Sequence, residues 1–351
     1  MKTMSSEGFL IDAATRHQIY VQRHAGSNLK EVAKFITLAI ATAKDRVSAG
    51  LSVYGTKRYE KQIEVLQSDL RGIYAEMKGQ AQADLSDFAV HESAFSAAML
   101  GGAVSVGVQV STPSAPMIVS SALNNPMRLE ARKGVQKISI SGALDQFGSK
   151  KAADIISEIQ IGAALGESTQ AIARRITGLE MLQREQATAL VRTVTNHVAA
   201  TARMETLRAN DDILEGKRRV ATLDSRTSAT CRALDGTVVP LDAPSPPFHW
   251  SCRTSEMPVL KVQYRREIPG STRPSKGANG IEQVSSRTTY QEWLARQPAA
   301  FQKDVLGPSR YALFSKGELT LDRFVDDNGR TLNLAQLKAK QPAAFERAGL
   351  D

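Results

Sequence analysis

Cysteine and aromatic residues are scarce in this sequence: two cysteines and 5% aromatics in 351 residues. Two cysteines cannot build a disulfide framework, so a reducing compartment is expected. Few rings and abundant alanine point to helices packed through small side chains. Long apolar runs are also missing. The most apolar stretch, 94–110, is broken by Ser96, Gly101, Gly102, Ser105, Gly107 and Gln109, too short and too polar to cross a membrane. The opening MKTMSSEGFLIDAATRH lacks an apolar core followed by a small-residue cleavage site, so no targeting segment is expected and a soluble cytosolic product is. No Walker-type phosphate loop and no GxGxxG occurs, and GGAVSVG at 101–107 is β-branched with no Lys-Ser/Thr after it. Long Lys/Arg runs are absent, although the formal net charge is +9. That balance favours polyanionic surroundings, but the basic residues are scattered and many alternate with acids, as on solvated helix faces.

What is present is mostly helical periodicity. Leu29, Val32, Phe35, Ile36, Ile40 and Ala43 recur at helical spacing, and 9–48 reads as two helices broken near Gly26-Ser27-Asn28. Tyr59, Ile63, Leu66, Leu70, Ile73, Tyr74 and Met77 form the stripe of a longer amphipathic helix over 57–100. The expected organisation is an N-terminal helical region at 1–100, an extended valine-rich arm or linker at 101–116 and a helical body at 117–214. A small α+β unit at 215–262 follows, then a Gly/Ser/Pro/Arg-rich linker at 263–283 and a helical C-terminal segment at 284–351. The helical body ends in a long helix over about 184–209, and Asp235-Gly236 signals a hairpin turn. The expected fold class is mainly α: long helices lead into a compact Cys/His-containing β-hairpin module, and a helical cap closes the chain. ARQPAAF at 295–301 returns as AKQPAAF at 339–345, a single echo too short for a solenoid.

The distinctive chemistry is concentrated in VATLDSRTSATCRALDGTVVPLDAPSPPFHWSCRTSEMP, residues 220–258. It holds both cysteines, Cys231 and Cys252, with His249 and Asp224. Zinc prefers thiolate and imidazole ligands, usually four in structural sites. Cys231, His249 and Cys252 supply three, and Asp224 is the nearest fourth, with water or His197 as substitutes. Two alternatives stay open: a Cys231–Cys252 disulfide, and a knot of buried thiols with His249 bonded to Asp224 or to backbone. Any of the three would crosslink a unit too small for a large core. A cysteine nucleophile paired with histidine is conceivable, as is an HNH-type metal nuclease. Neither an oxyanion loop nor a paired His-Asn arrangement is visible, so the chain is not expected to be an enzyme.

These residues resemble the phage head morphogenesis (minor head protein) family typified by the Mu F protein. In that family a helix with an Arg-Thr pair leads into T-x-D-x-R-T-S-x-x-C-R-x-L-D-G and then P-P-x-H-x-x-C-R. Here Arg192-Thr193 precedes Thr222, Asp224, Arg226-Thr227-Ser228, Cys231-Arg232 and Leu234-Asp235-Gly236, followed by Pro246-Pro247, His249 and Cys252-Arg253. Order and spacing agree over 155–258, including the entry Gly166-x-Ser168-x3-Ile172-Ala173-x2-Ile176. Trp250-Ser251 stands where the family often has Pro-Asn, and Thr254 where a cysteine is common, leaving two sulfurs for any thiolate site. The resemblance implies a minor structural protein of a tailed-phage head, in few copies or a low-copy ring. Its implied partners are the portal protein and the major capsid or scaffolding protein, and its place the virion after assembly in the host cytoplasm. It implies structural roles for Arg192, Thr193, Arg226, Arg232, Asp235, Gly236, Pro247 and Arg253. Non-specific DNA contact through phosphates, or export with the DNA, is the alternative expectation.

Overall fold

The computed structural model of the protein describes residues 3–51, 53–131, 134–269, 271–326 and 329–350. After a short strand, β1 (Thr3–Ser5), come helices α1 (Ser6–Ser48), α2 (Lys57–Ala103) and α3 (Ala115–Asn124). A hairpin of β2 (Met127–Ala131) and β3 (Gly134–Ile138) leads to α4 (Ile140–Ala164) and α5 (Thr169–Arg208). The helix starts are written locally. Oγ1 of Thr56, Oγ of Ser139 and Oγ of Ser168 accept from the backbone N–H of Tyr59, Gly142 and Ala171, satisfying donors that a helix N-terminus leaves unpaired. The apolar stripes of α1 to α5 meet in one core containing Val21, Ile36, Leu66, Leu70, Leu144, Ile155, Ile176 and Val198. The two helical regions expected at 1–100 and 117–214 therefore share their interior.

The last turns of α5 pass beneath a small β unit. It comprises β4 (Leu214–Val220), β5 (Leu223–Asp224), α6 (Ala229–Leu234), β6 (Val238–Val239) and β7 (Ser255–Leu260). The central strand β4 pairs antiparallel with both β6 and β7. Asp235-Gly236 is a turn, with Gly236 at φ 81°, where a glycine avoids steric cost. It connects α6 to β6 rather than joining two adjacent strands. A second core joins this unit to the start of α1 and the ends of α2 and α5, through Leu10, Leu100, Leu207, Met257 and Leu260.

The stretch expected as a linker carries strands. It contains β8 (Glu267–Pro269), paired with β1, and a hairpin of β9 (Thr272–Gly277) and β10 (Gly280–Ser285). β5 pairs in parallel with β9. The composition misleads because Arg273 points inward, both terminal nitrogens on carboxylate and carbonyl partners, while Gly277 and Gly280 bracket the turn. Helices α7 (Tyr290–Ala295), α8 (Ala299–Leu306), α9 (Pro308–Ser315), α10 (Leu334–Lys340) and α11 (Pro342–Ala348) then form a cap with its own core of Trp293, Leu313, Leu321, Phe324, Leu337 and Phe345. The fold is mainly α with small sheets, as the sequence implies.

Three further expectations are corrected. α1 runs unbroken through Gly26-Ser27-Asn28, because Val21, Ala25, Val32 and Ile36 stay on one buried face. α5 begins at Thr169, well before the expected start near residue 184. The valine segment is not an outstretched arm: α2 continues to Ala103, Val104 bridges to Arg265, and Ser111 is clamped by the Asn210 side chain through two hydrogen bonds of 2.7 and 2.8 Å. Val108 and Val110 pack on the second core, while Val106 stays exposed.

Candidate metal centre and its arginine shell

Ser228 starts the site. Its Oγ accepts from Cys231 N–H at 3.2 Å as the N-cap of α6, and this short helix turns the Cys231 side chain inward. The loop after the cis Pro246-Pro247 peptide brings His249 and Cys252 to meet it, and Ser251 takes φ 59°. That loop is tied down from two sides. Glu130 N–H donates to the Phe248 carbonyl at 2.7 Å, and Ser251 N–H donates to Thr193 Oγ1 at 2.9 Å. Thr193 itself donates to the Ala189 carbonyl. The Arg-Thr pair of α5 thus divides its work: Thr193 is buried and holds the loop, while Arg192 is exposed and makes no ion pair or hydrogen bond among the described residues.

Cys231 Sγ lies 3.7 Å from Cys252 Sγ and 3.2 Å from His249 Nε2. The three ligand atoms fall within 4.8 Å of one another. At 3.7 Å the sulfurs are not bonded, and both cysteines are free and buried. Tetrahedral zinc with Zn–S of about 2.3 Å has an S···S edge of about 3.8 Å and an N···S edge of about 3.5 Å. The two sulfurs already stand at the first spacing, and His249 needs to open by a few tenths of an ångström. His249 Nδ1 lies 2.9 Å from the Trp250 carbonyl. With the Nδ1 proton donated there, the Nε2 lone pair faces the sulfurs, the outer-shell arrangement common for ligating histidines. The trio fits zinc, with one position left for water. Ser228 Oγ, 2.7 Å from His249 Nε2, flanks that position, and a small polar cleft lined by Thr222, Ser228, His249 and Ser251 reaches it.

The electrostatics favour charge on Cys252. Its burial opposes ionisation, but the hydrogen bond from the Cys231 thiol and the neighbouring His249 ring bring it well below its ordinary range. Cys231, as the donor of the pair and also buried, is pushed up. Burial works against charge on His249 too, yet the neighbouring Cys252 sulfur outweighs it and raises the imidazole. Because a ligating thiol or imidazole must shed its proton, metal binding by this trio would be pH-dependent.

Asp224 does not join the trio. Burial penalises its charge, but Arg253 donates to both carboxylate oxygens at 2.7 Å and holds the pKa below the usual range. Its remaining capacity goes to Arg226 N–H at 3.0 Å and Thr227 Oγ1 at 3.2 Å. The expected fourth ligand is therefore the anchor of Arg253. His197 also stands apart: Nε2 lies 2.9 Å from the Asn125 carbonyl, and burial lowers its pKa to about 4. Arg226 pairs only loosely with Asp224, at 3.5 Å, and is mostly exposed. Arg232 donates to the Val305 and Ser225 carbonyls and covers the Tyr290 ring, tying α6 to the cap.

Asp235, read from sequence as a turn residue, is a buried hub. Its carboxylate accepts from Ala221 N–H and Tyr290 N–H, each at 2.7 Å, and pairs with Arg273 at 3.2 Å. Arg273 also donates to the Thr288 and Ala221 carbonyls. Gly236 lies so close to Thr289 that a Cβ would sit 3.2 Å from its Cγ2. Three residues of the site carried no separate expectation: Ser228, Arg273 and Tyr290. Of these, Arg273 had a readable signal, the Asn279-Gly280 pair that ends the β9–β10 turn.

Residues 153–257 match the family model described as Phage Mu protein F like protein. The likeness carried by the motif residues is borne out over that segment, which spans the C-terminal half of α4, all of α5 and nearly the whole Cys/His unit. No curated protein and no solved structure gives a significant match.

Proposed function

We propose that this chain, with its Phage Mu protein F like segment, is a minor head protein of a tailed bacteriophage that acts in head assembly at or near the portal vertex. The observation that carries the reading is the coincidence of the family match with a built structural unit. Thr193, Asp224, Cys231, Arg232, Asp235, His249, Cys252 and Arg253 each hold another part of the unit in place. Such a unit suits a structural component, and the role proposed is not enzymatic. The partners proposed are the portal protein and the major capsid or scaffolding protein, with the assembled chain in the virion. Zinc is proposed to crosslink Cys231, His249 and Cys252. A second reading, a DNA-binding internal protein that leaves with the genome, is favoured by the net charge of +9; it requires salt-sensitive, sequence-independent retention on DNA.

The test is co-expression with the cognate portal protein, purification through a tag on the portal, and zinc analysis of the bound fraction. Co-elution with about one zinc per chain is expected. Co-elution without zinc keeps the assembly role and reduces the trio to a hydrogen-bonded knot. Failure to co-elute with portal or any head protein overturns the assembly reading, and DNA retention then decides the second.

A further inference from the structure

A groove of about 510 Å³ lies beside the cysteine–histidine unit, and none of the roles above uses it. One wall is α1; the other is the outward face of the β5–β9–β10 sheet; the floor is α5 with the segment that carries Arg253. Alternation along β9 sends Arg273 and Ser275 inward and leaves Lys276 outward. The register places Ile281 and Asp224 opposite Lys276, on the same outward face.

The lining is unbalanced in charge. Arg192, Arg226, Arg253 and Lys276 face one carboxylate, Asp224, which Arg253 already grips with both nitrogens. Arg192 and Lys276 are exposed and have no partner among the described residues. Gathering cations in one concavity costs self-repulsion and raises the local concentration of anions. Two apolar side chains stand among them, Ile19 at 43% and Ile281 at 80% exposure. No aromatic ring lines the groove, so the stacking platform that single-stranded nucleic acids use is missing. Isolated apolar anchors between guanidinium groups suit a peptide with alternating carboxylates and aliphatic side chains.

We propose that this groove binds an extended acidic segment of a partner protein, its carboxylates against Arg192, Arg226 and Lys276 and its aliphatic side chains against Ile19 and Ile281. The inference does not depend on the portal reading. Its test uses the full chain and fluorescence anisotropy with three labelled probes. They are a peptide of roughly 12 residues alternating Glu and Leu, its Gln counterpart, and a single-stranded oligonucleotide of equal charge. Arg192→Glu and Lys276→Glu are the variants, and Lys61→Glu, on the remote part of α2, is the control; thermal melts verify folding. The acidic peptide is expected to bind saturably and more tightly than the other two probes. Each groove variant should weaken it by about 10-fold or more, and the control should not. No saturable binding, or equal binding by wild type and both groove variants, overturns the proposal. Tighter oligonucleotide binding that the same two substitutions abolish also overturns it, and reassigns the groove to nucleic acid.

Discussion

Asp224 shows how far one residue's neighbours decide its role. Its carboxylate is nearly buried, and the two Arg253 contacts at 2.7 Å are its main compensation. Asp224→Asn would remove the charge and leave Arg253, only 16% exposed, facing a neutral amide. Breaking such a pair costs roughly 3 kcal/mol, and the loss should appear as a lower urea midpoint at pH 7. The pH dependence follows from the depressed carboxyl pKa. The stabilisation is complete above the unfolded-state value of about 3.9 and is lost as pH falls through the lower folded value. The gap between wild type and Asp224→Asn should hold from neutrality to about pH 4 and close below it. A gap that does not change with acid would mean the carboxylate is not the ionised partner of Arg253. Cys231, His249 and Cys252 were legible as a group because few residue types ligate metal and all three lie within a few dozen positions. The role of Asp224 was not legible. A carboxylate near cysteines reads as a ligand, and its true partner, the arginine next to Cys252, is settled only by distance.

At the scale of elements, the long helices meet where side chains are smallest. Gly148 of α4 faces Tyr74 of α2, and a Cβ there would lie 2.7 Å from Tyr74 Cβ. Tyr74 cannot withdraw, since its ring is buried and its hydroxyl bonds Gln183 Oε1 at 3.1 Å. Gly148→Ala should therefore destabilise by about 1–3 kcal/mol through overpacking, despite a helix-propensity gain of about 1 kcal/mol. Gly79→Ala in α2, where nothing lies within 4 Å, should show that gain undiminished. Chemical denaturation of both variants separates the two effects; equal shifts of the same sign would refute the close α2–α4 contact. The same physics explains what the sequence hid. Periodicity revealed α2 because its stripe is apolar at helical spacing. Gly26-Ser27-Asn28 looked like a break, yet Gly26 has open space around it and the flanking apolar face continues, so packing overrides propensity. The β9–β10 hairpin was missed because its inward positions are Arg273 and Ser275, which no hydrophobic alternation reveals.

Across the whole molecule, apolar cores are separated by buried polar belts. Between the helical core and the β unit, Glu92 lies 2.7 Å from His17 Nε2 and 3.9 Å from Arg203, which donates to Ser255 at 2.9 Å. Gln18 and Asn196 extend the belt. Between the β unit and the C-terminal cap, the Asp235–Arg273 hub, the Tyr290 hydroxyl on the Asp224 carbonyl and Arg232 on Val305 do the joining, and Leu223 is the β-unit residue that enters the cap's core. Such joints are directional: once their geometry is lost, little residual attraction remains, whereas sliding apolar faces still attract. The cap is also built from helices of six to eight residues, which are marginal without tertiary support, while α5 is buried around most of its C-terminal half. The cap should therefore open as a unit before the helical core does. Native-state hydrogen exchange read by mass spectrometry in rising urea tests this. Amides in 290–350 should lose protection together at lower urea than those of α4 and α5. Loss of protection in both regions at the same urea concentration would mean that the polar joints couple the cap to the core as strongly as apolar packing would.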